Sequence, residues 1–234
     1  MKKIAKPIIE LSNICRKDKK GTIDRLSLSL TGGDCFAVVY RNDDNIELLF
    51  EIFRGRVAPT KGKIFFKGDD VTGTRNVFGV VSRKPVMPKL KNVAQFAAAP
   101  VIKRGLSRIM SDVLVRKEIK AFGIEELADE SCTKLSEEDA MKAAIFSAYM
   151  CSHELVVLNE PQESLSDAAN WLSGLKASST LSLLIFTKDA DFAVEIADYV
   201  MVTDKNTSSS GIIAVDKNKK ARAREQLAEL LKGR

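Results

Sequence analysis

The chain has 234 residues and a mass of 25.8 kDa, enough for one large domain with a buried core. Its 45% hydrophobic and 29% charged residues are usual for a soluble globular protein, and no apolar run approaches the roughly 20 residues that span a bilayer. The first residues lack the apolar stretch of a signal peptide, so we expect a cytoplasmic protein. Lys and Arg number 37 against 31 Asp and Glu, which fits an anionic partner, and much of this excess lies in the tail Lys217–Arg234.

The cysteines and the single histidine exclude several kinds of site. Cys15, Cys35, Cys132 and Cys151 form no C-x-x-C pair, which favours reduced, mostly buried thiols over a disulfide framework or a zinc site. His153 is the only histidine, so a multi-histidine metal site is excluded and a histidine-based hydrolase would depend on it alone. We interpret His153 as a boundary or surface residue.

The first third of the chain is predicted to form strands and one helix. The predicted strands are Ile8–Leu11, Ile23–Leu30, Cys35–Val39, Gly62–Gly68 and Phe78–Ser82. Cys35–Val39 is continuously apolar, which is typical of a strand buried on both faces. Ile46–Phe53 has apolar residues at helical spacing, and Gly55 suits the end of that helix.

From about residue 91 to 150 the pattern becomes helical, and strands then return. The predicted elements are helices Asn92–Ala99, Ser107–Phe122 and Glu137–Met150, strand Leu155–Leu158, helix Ser166–Lys176, strand Leu181–Phe186, helix Ala190–Ala197, strand Tyr199–Thr203, loop Thr207–Gly211 and strand Ile212–Val215. Strands separated by helices predict an α/β fold with a mostly parallel sheet and helices on both faces. The central helical stretch is interpreted as an inserted subdomain.

A buried strand followed by a loop and a helix start is the usual place to bind phosphate, because the helix N-terminus offers free N–H groups. A working phosphate loop there reads G-x-x-x-x-G-K-[ST]. In this chain Tyr40 and Asn45 stand at the two glycine positions, Ile46 at the lysine position and Glu47 at the hydroxyl position.

The flanking segments are similar, in order and spacing, to those of a known family. These segments are Gly33–Val39, Leu48–Gly55, Pro59–Ile64, Phe66–Val71, Phe78–Val81, Lys134–Asp139 at the LSGGQ position, Glu154–Pro161 at the Walker B position, Leu184–Asp189 and Ala197–Val202. From about residue 8 to 215 the chain resembles the ATP-binding (nucleotide-binding) domains of ABC transporters.

The resemblance implies a P-loop NTPase-like (RecA-like) fold with a mostly parallel sheet, an antiparallel N-terminal β portion and an inserted helical subdomain. It implies that residues 1–83 and 154–215 form the core, 84–153 the helical subdomain that carries the signature segment, and 216–234 a basic C-terminal helix or tail.

The same alignment implies a degenerate ATP site. The replaced positions are the glutamine that contacts magnesium and water (Arg83), the metal-organising aspartate (Asn159), the aspartate of the SxLD loop (Ser166), the histidine that contacts the γ-phosphate (Lys188) and the signature glycines (Glu137 and Glu138, after a retained Ser136). No aromatic residue for adenine stacking lies within Ile14–Lys20. Glu160, at the position of the general base, is the intact catalytic position. Ser136 with the acidic residues after it is also what an ordinary helix start requires.

The free-energy costs of the replaced residues predict that Mg-ATP does not bind as it does in the family. Loss of the lysine removes roughly 1.5–3 kcal/mol of charge-assisted contact. Asp43, Asp44 and Glu47 place carboxylates where the triphosphate lies, and each costs on the order of 3 kcal/mol at about 6 Å and an effective dielectric near 20. Together these exceed the ~5–6 kcal/mol between micromolar and ten-millimolar binding. We therefore expect no cofactor and no metal.

Three functions stay open from the sequence. The first is a pseudo-ATPase, peripheral on the cytoplasmic face of the membrane, that docks on an integral-membrane permease and pairs with a sister ABC domain or with itself, without nucleic acid. The second is an ABC ATPase with weak or altered nucleotide or ligand binding, which uses Glu160 with Arg83, Lys188 and Asn159. The third is binding of the tail Lys217–Arg234 to an anionic surface, although we interpret this tail as a solvated terminal helix.

Overall fold

The computed structural model describes residues 6–19, 21–41, 43–159, 171–175, 180–203, 209–216 and 220–232. Its strands are β1 (Pro7–Lys17), β2 (Thr22–Thr31), β3 (Cys35–Val39), β4 (Lys61–Phe66), β5 (Asp69–Asp70), β6 (Gly79–Val81), β7 (Leu155–Asn159), β8 (Ser182–Thr187), β9 (Tyr199–Thr203) and β10 (Ser209–Ala214). Its α-helices are α1 (Asp43–Phe53), α2 (Val93–Lys103), α3 (Arg108–Ala121), α4 (Glu137–Ser152), α5 (described over 171–175), α6 (Ala190–Ile196) and α7 (Lys220–Lys232), with a 3-10 turn at Glu125–Leu127.

The strands form two sheets. One has the order β2-β1-β4-β5 and is antiparallel throughout. The other has the order β10-β9-β3-β8-β7-β6 and is parallel except where β10 pairs with β9. This arrangement confirms the predicted fold class, including the antiparallel N-terminal portion.

The parallel sheet separates two hydrophobic clusters. Alternate residues of β3 point to opposite faces, so Cys35, Ala37 and Val39 join one cluster while Phe36 and Val38 join the other. Helices α2, α3, α4, α6 and α7 pack into the first cluster. Helix α1 and the antiparallel sheet pack into the second, so α1 is covered on both sides and its start is held against the edge of the parallel sheet.

Most predicted elements are confirmed with small shifts of their ends, and four differ. Strand β1 ends at Lys17, six residues beyond the predicted end at Leu11. Helix α1 begins at Asp43, three residues earlier than predicted, since acidic residues are stable in a first turn. Helix α2 continues through Pro100 to Lys103, four residues beyond the predicted end at Ala99, because Val101 is buried and stabilises the last turn. Strand β10 begins at Ser209, inside the predicted loop 207–211, where Ser209 pairs with Thr203. The predicted helix Ser166–Lys176 lies outside the described residues except for 171–175, which are helical.

The C-terminal helix is packed along one face. Ala223 and Leu227 are buried in the first cluster, and Arg224 forms ion pairs with Asp191 at 2.9 Å and Glu195 at 3.5 Å. The prediction of a solvated tail is therefore wrong for this face of α7, because its leucines at helical spacing cover β10 and α6. His153 ends α4 with a left-handed backbone at φ 59°, which confirms its place at a boundary. Within the described ranges, none of the helices combines the length and apolar content of a membrane span.

Candidate functional site

Parallel strands bring four loops to one edge of the sheet. Tyr40 follows β3, Arg83 follows β6, Asn159 ends β7 and Lys188 follows β8. The carboxyl ends of parallel strands meet at the same edge, which is where open α/β sheets bind ligands. The backbone N–H of Tyr40 donates to the carbonyl of Thr187 at 3.0 Å, so β3 and β8 stay joined where the loop begins.

The Asp43 carboxylate, in the first turn of α1, lies between two cations from other loops. Its Oδ1 accepts from Arg83 Nη1 at 3.1 Å, and its Oδ2 accepts from Lys188 Nζ. These partners are 40 and 145 residues away along the chain. The sequence alignment predicts that Arg83 and Lys188 stand at the positions of the family's glutamine and histidine. One carboxylate pairs with both of these cations.

Tyr40 and Asn159 extend this network into the protein. The Tyr40 hydroxyl lies 3.2 Å from Asn159 Oδ1 and 3.4 Å from Asp43 Oδ1, so its single proton has two acceptors. Asn159 Nδ2 donates to Glu47 Oε1 at 3.4 Å. Tyr40 is 3% exposed and Asn159 2%, whereas Glu47 is exposed. Lys188 Nζ also lies 5.8 Å from the centroid of the Tyr40 ring, within cation–π range.

The environment sets the protonation states of this network. Burial alone would raise the pKa of Asp43, but the hydrogen bond and charge of Lys188 and the charge of Arg83 outweigh it and hold this pKa below its usual value. Burial raises the pKa of the Tyr40 hydroxyl, which only the charge of Arg83 opposes. At neutral pH the site therefore contains an ionised Asp43 and a neutral, proton-donating Tyr40.

Asn45 and Ile46 take no part in the network. The Asn45 side chain is buried, and its Oδ1 accepts from the backbone N–H of Thr22 at 2.7 Å. Ile46 is fully buried in the second hydrophobic cluster. A Cβ at Gly21 would lie 2.7 Å from Asn45 Oδ1, so the neighbouring loop is fitted to this side chain. Thus Asn45, predicted at the second glycine position, bonds a neighbouring loop, and Ile46, predicted at the lysine position, packs in the core. The backbone of Asp44 forms part of α1.

The signature-position residues form a separate helix start. Ser136 Oγ accepts from the Asp139 N–H at 3.1 Å and donates to Asp139 Oδ2 at 2.7 Å. Glu138 forms an ion pair with Lys142 at 2.6 Å, and Glu137 is exposed. This confirms the interpretation of Ser136 as the N-cap of an acidic first turn.

Two predicted site residues cannot be placed. Glu160 and Ser166 lie outside the described residues, so their roles stay predictions. Among the residues that are described, no group of three or more His, Cys, Asp or Glu side chains is arranged to hold a metal ion.

A groove of about 620 Å³ lies between the end of α1, β6, α2 and α4, and sequence reasoning missed it. Its cations are Arg54, Arg56, Arg75, Lys103 and Arg104. Glu51 pairs with Arg54 at 3.0 Å and with Arg56 at 3.1 Å, and in the described part of the chain no carboxylate lines the groove itself. The sequence does contain a pattern that indicates this basic groove. From Val71 to Ser111 it has lysines and arginines but no aspartate or glutamate.

Known proteins supply the family context. No protein-family model matches the chain. An ABC transporter ATP-binding protein of Methanosarcina mazei is 24% identical over 210 residues, which are 84% of this chain and 64% of the relative. The energy-coupling factor transporter ATP-binding protein EcfA of Methanoculleus marisnigri is 27% identical over 180 residues, 72% of this chain and 65% of the relative. The chain thus spans slightly less than two thirds of the length of these relatives.

Solved structures agree in fold. The cbiO1 protein of Clostridium perfringens, described as part of the ABC transporter complex cbiONQ, matches with a TM-score of 0.77 and 19% identity, over 97% of this chain and 96% of that chain. A nucleotide-free ATP-binding cassette from an ABC transporter matches with a TM-score of 0.74 and 19% identity, over 97% of this chain and 100% of that chain. The chain therefore has the P-loop NTPase fold of ABC ATPase domains.

Proposed function

We propose that this homologue of ABC transporter ATP-binding proteins is a non-hydrolysing structural or regulatory subunit, peripheral on the cytoplasmic face of a membrane. It docks on an integral-membrane permease and pairs with a sister ATP-binding domain or with a second copy of itself. The relatives' names supply the transport context. The contacts within the site support the loss of nucleotide binding and hydrolysis.

The observation that carries the proposal is the position of Asp43 between Arg83 and Lys188. In the family pattern, side chains at these two loops face the nucleotide's phosphate and its magnesium. In this chain a carboxylate of the protein itself already satisfies both cations. A bound triphosphate would have to displace Asp43 and then remain beside the carboxylates of Asp43 and Glu47, each costing on the order of 3 kcal/mol.

The remaining groups give no compensation for that cost. Ile46 offers no charge to the phosphates because it is buried among apolar side chains. Asn159 and Glu47 bond each other, at the positions where the family holds magnesium. The residues present therefore do not fit Mg-ATP held as in the family, and we derive no catalytic step through it.

Phosphate release from ATP tests the proposal against its alternative, an ATPase that uses Glu160. Wild type and Glu160→Gln, purified in parallel, should release phosphate at the same background rate. A hydrolysing ABC ATP-binding protein in the same assay provides the positive control. A wild-type rate clearly above that of Glu160→Gln would contradict the proposal and favour the alternative.

For docking, we propose the groove beside the predicted helical subdomain, residues 84–153. Its basic rim and apolar floor suit a loop or short helix of a permease that carries carboxylates and apolar side chains. Ser147 lines this groove, so Ser147→Trp fills it. The variant should lose co-purification with the permease while keeping the wild-type melting temperature.

The exposed double substitution Lys17→Gln and Lys19→Gln on the β1–β2 hairpin serves as control and should keep the permease. Retention by Ser147→Trp would place docking elsewhere. Sedimentation of the isolated chain distinguishes pairing with itself, which gives a dimer, from pairing with a sister domain, which gives a monomer.

A further inference from the structure

A long segment of this fold carries only positive charge. Between Val71 and Ser111 the charged residues are Arg75, Arg83, Lys84, Lys89, Lys91, Lys103, Arg104 and Arg108. Asp70 precedes this segment and Asp112 follows it. Because ordinary surfaces mix both signs of charge, an acid-free segment of this length favours an anionic partner.

Apolar side chains stand exposed where α2 turns into α3, next to these cations. Ile109 is 78% exposed, Val113 60% and Met110 57%. Ile109 and Val113 are one helical turn apart, and Met110 is their neighbour, so the three share one side of the first turns of α3. The opposite side of the helix is buried through Ser111 and Val115. A contiguous exposed apolar group of this kind is typical of an interaction surface.

Among the described residues, no carboxylate forms an ion pair with the cations of this corner. Arg104 donates to the carbonyls of Met150, at 2.7 Å, and Cys151, so it is tied to the end of α4. For Lys103 and Arg108, the described residues contain no carboxylate partner. Asp112, the next acid along the chain after Arg108, is already paired with Arg116 at 3.2 Å, and Arg116 also binds Asp129 at 2.8 Å.

We infer that the α2–α3 corner, Ile102–Val113, binds the surface of a membrane that contains anionic phospholipids. Lys103 and Arg108 contact the headgroup phosphates, while Ile109, Met110 and Val113 enter the boundary between headgroups and acyl chains. Basic residues interleaved with exposed apolar ones on a helix are the usual form of such a contact.

A lipid surface explains this corner better than an acidic protein segment does. Lys103 and Arg104 line the groove, whereas Ile109, Met110 and Val113 lie outside it. A protein segment seated in the groove would therefore leave these three apolar side chains in water. A membrane surface covers the cations and the apolar group together. The inference holds whether or not a permease docks in the groove and does not rest on the loss of nucleotide binding.

Vesicle flotation with the full chain tests this inference. The probes are vesicles of pure phosphatidylcholine and vesicles with about 30% phosphatidylglycerol. The chain should float with the anionic vesicles only, and less as salt increases. Lys103→Gln with Arg108→Gln should lower the partition coefficient at least tenfold, since each cation near the surface contributes about fivefold. Ile109→Ser with Val113→Ser should lower it about threefold or more.

Matched variants make the outcome decisive. Lys17→Gln with Lys19→Gln removes the same charge from the antiparallel sheet and should change partitioning by less than about twofold. An equal loss in this pair, or a loss with Arg222→Gln on α7 that exceeds the loss at the corner, would overturn the inference. So would the absence of flotation with anionic vesicles while poly-glutamate binds through Lys103 and Arg108, which would indicate an acidic protein partner. All substituted side chains are exposed, and circular dichroism verifies that each variant is folded.

Discussion

The starts of α1 and α4 are both acidic, yet their acids are held in different ways. At α4, Ser136 bonds Asp139 and Glu138 bonds Lys142, so each contact stays within four residues. At α1, Asp43 bonds Arg83 and Lys188, which come from distant loops. The first is a local helix cap, whereas the second joins three loops of the parallel sheet.

Under the proposed function, this difference corresponds to two ways in which a phosphate-binding architecture loses its ligand. At the segment predicted to occupy the signature position, Ser136 and Glu138 stabilise their own helix. At the segment predicted to occupy the phosphate-loop position, the Asp43 carboxylate pairs with Arg83 and Lys188 from other loops of the sheet. A substitution in the local cap should affect only its own helix, whereas a substitution in the long-range network should affect several loops.

The largest expected effect is that of Ile46→Lys, which restores the family's lysine at the start of α1. Because Ile46 is fully buried among apolar residues, the new ammonium group is taken out of water there. We expect a loss of about 3 kcal/mol or more in the free energy of unfolding, measured with urea, and no gain in ATP binding.

Ile46→Met provides the matched control, because it keeps volume and polarity and should cost less than about 1.5 kcal/mol. A stable Ile46→Lys protein that binds ATP would show that the phosphate loop needs only its lysine.

A smaller effect is expected for Asp43→Asn, which removes the negative charge between Arg83 and Lys188. The side chain is 48% exposed, so solvent screening limits the loss to about 1–2 kcal/mol. The pH dependence of this stability loss shows whether the ion pairs of Asp43 cause it. The pKa of Asp43 is lowered in the folded protein, so its contribution is fully present above the unfolded pKa of about 3.9 and is lost as the pH falls through the folded value.

The difference in unfolding free energy between wild type and Asp43→Asn should accordingly be largest near neutral pH and shrink below about pH 4. Urea titrations at about pH 6 and about pH 3 measure it. A difference that does not change with pH would mean that packing, and not the ion pairs, stabilises this loop.

The smallest effect is expected for Ser136→Ala at the start of α4. Loss of the N-cap should cost about 1 kcal/mol, and Ser136→Thr should recover most of it. Combined with Asp43→Asn, the two losses should add within about 0.5 kcal/mol, because the described contacts of the two sites share no partner. Clear non-additivity would link the two helix starts.

Local patterns were sufficient to predict most of the fold. Cys35–Val39 is a strand as predicted, because five apolar residues between turns suit only a short buried strand there. The spacing of Ile46, Leu49 and Phe50 predicted α1, whose apolar face is buried as expected. The predicted end of α2 at Ala99 was wrong, because burial of Val101 stabilises a further turn that contains Pro100.

The site was predictable only in part. The sequence predicts which side chains stand at the family's ATP-binding positions, but not which of them meet. Tyr40 and Asn159 are 119 residues apart, and their hydrogen bond depends on the pairing of the strands before them. The acid-free segment Val71–Ser111 was readable, yet a net charge counted over the whole chain concealed it.

Calorimetric titration of the chain with Mg-ATP at neutral pH tests the central claim most directly. If Asp43 takes the place of phosphate between Arg83 and Lys188, no binding should be measurable below about 1 mM, since the predicted penalties exceed the ~5–6 kcal/mol that separate micromolar from ten-millimolar affinity. A micromolar dissociation constant that depends on magnesium would contradict the account.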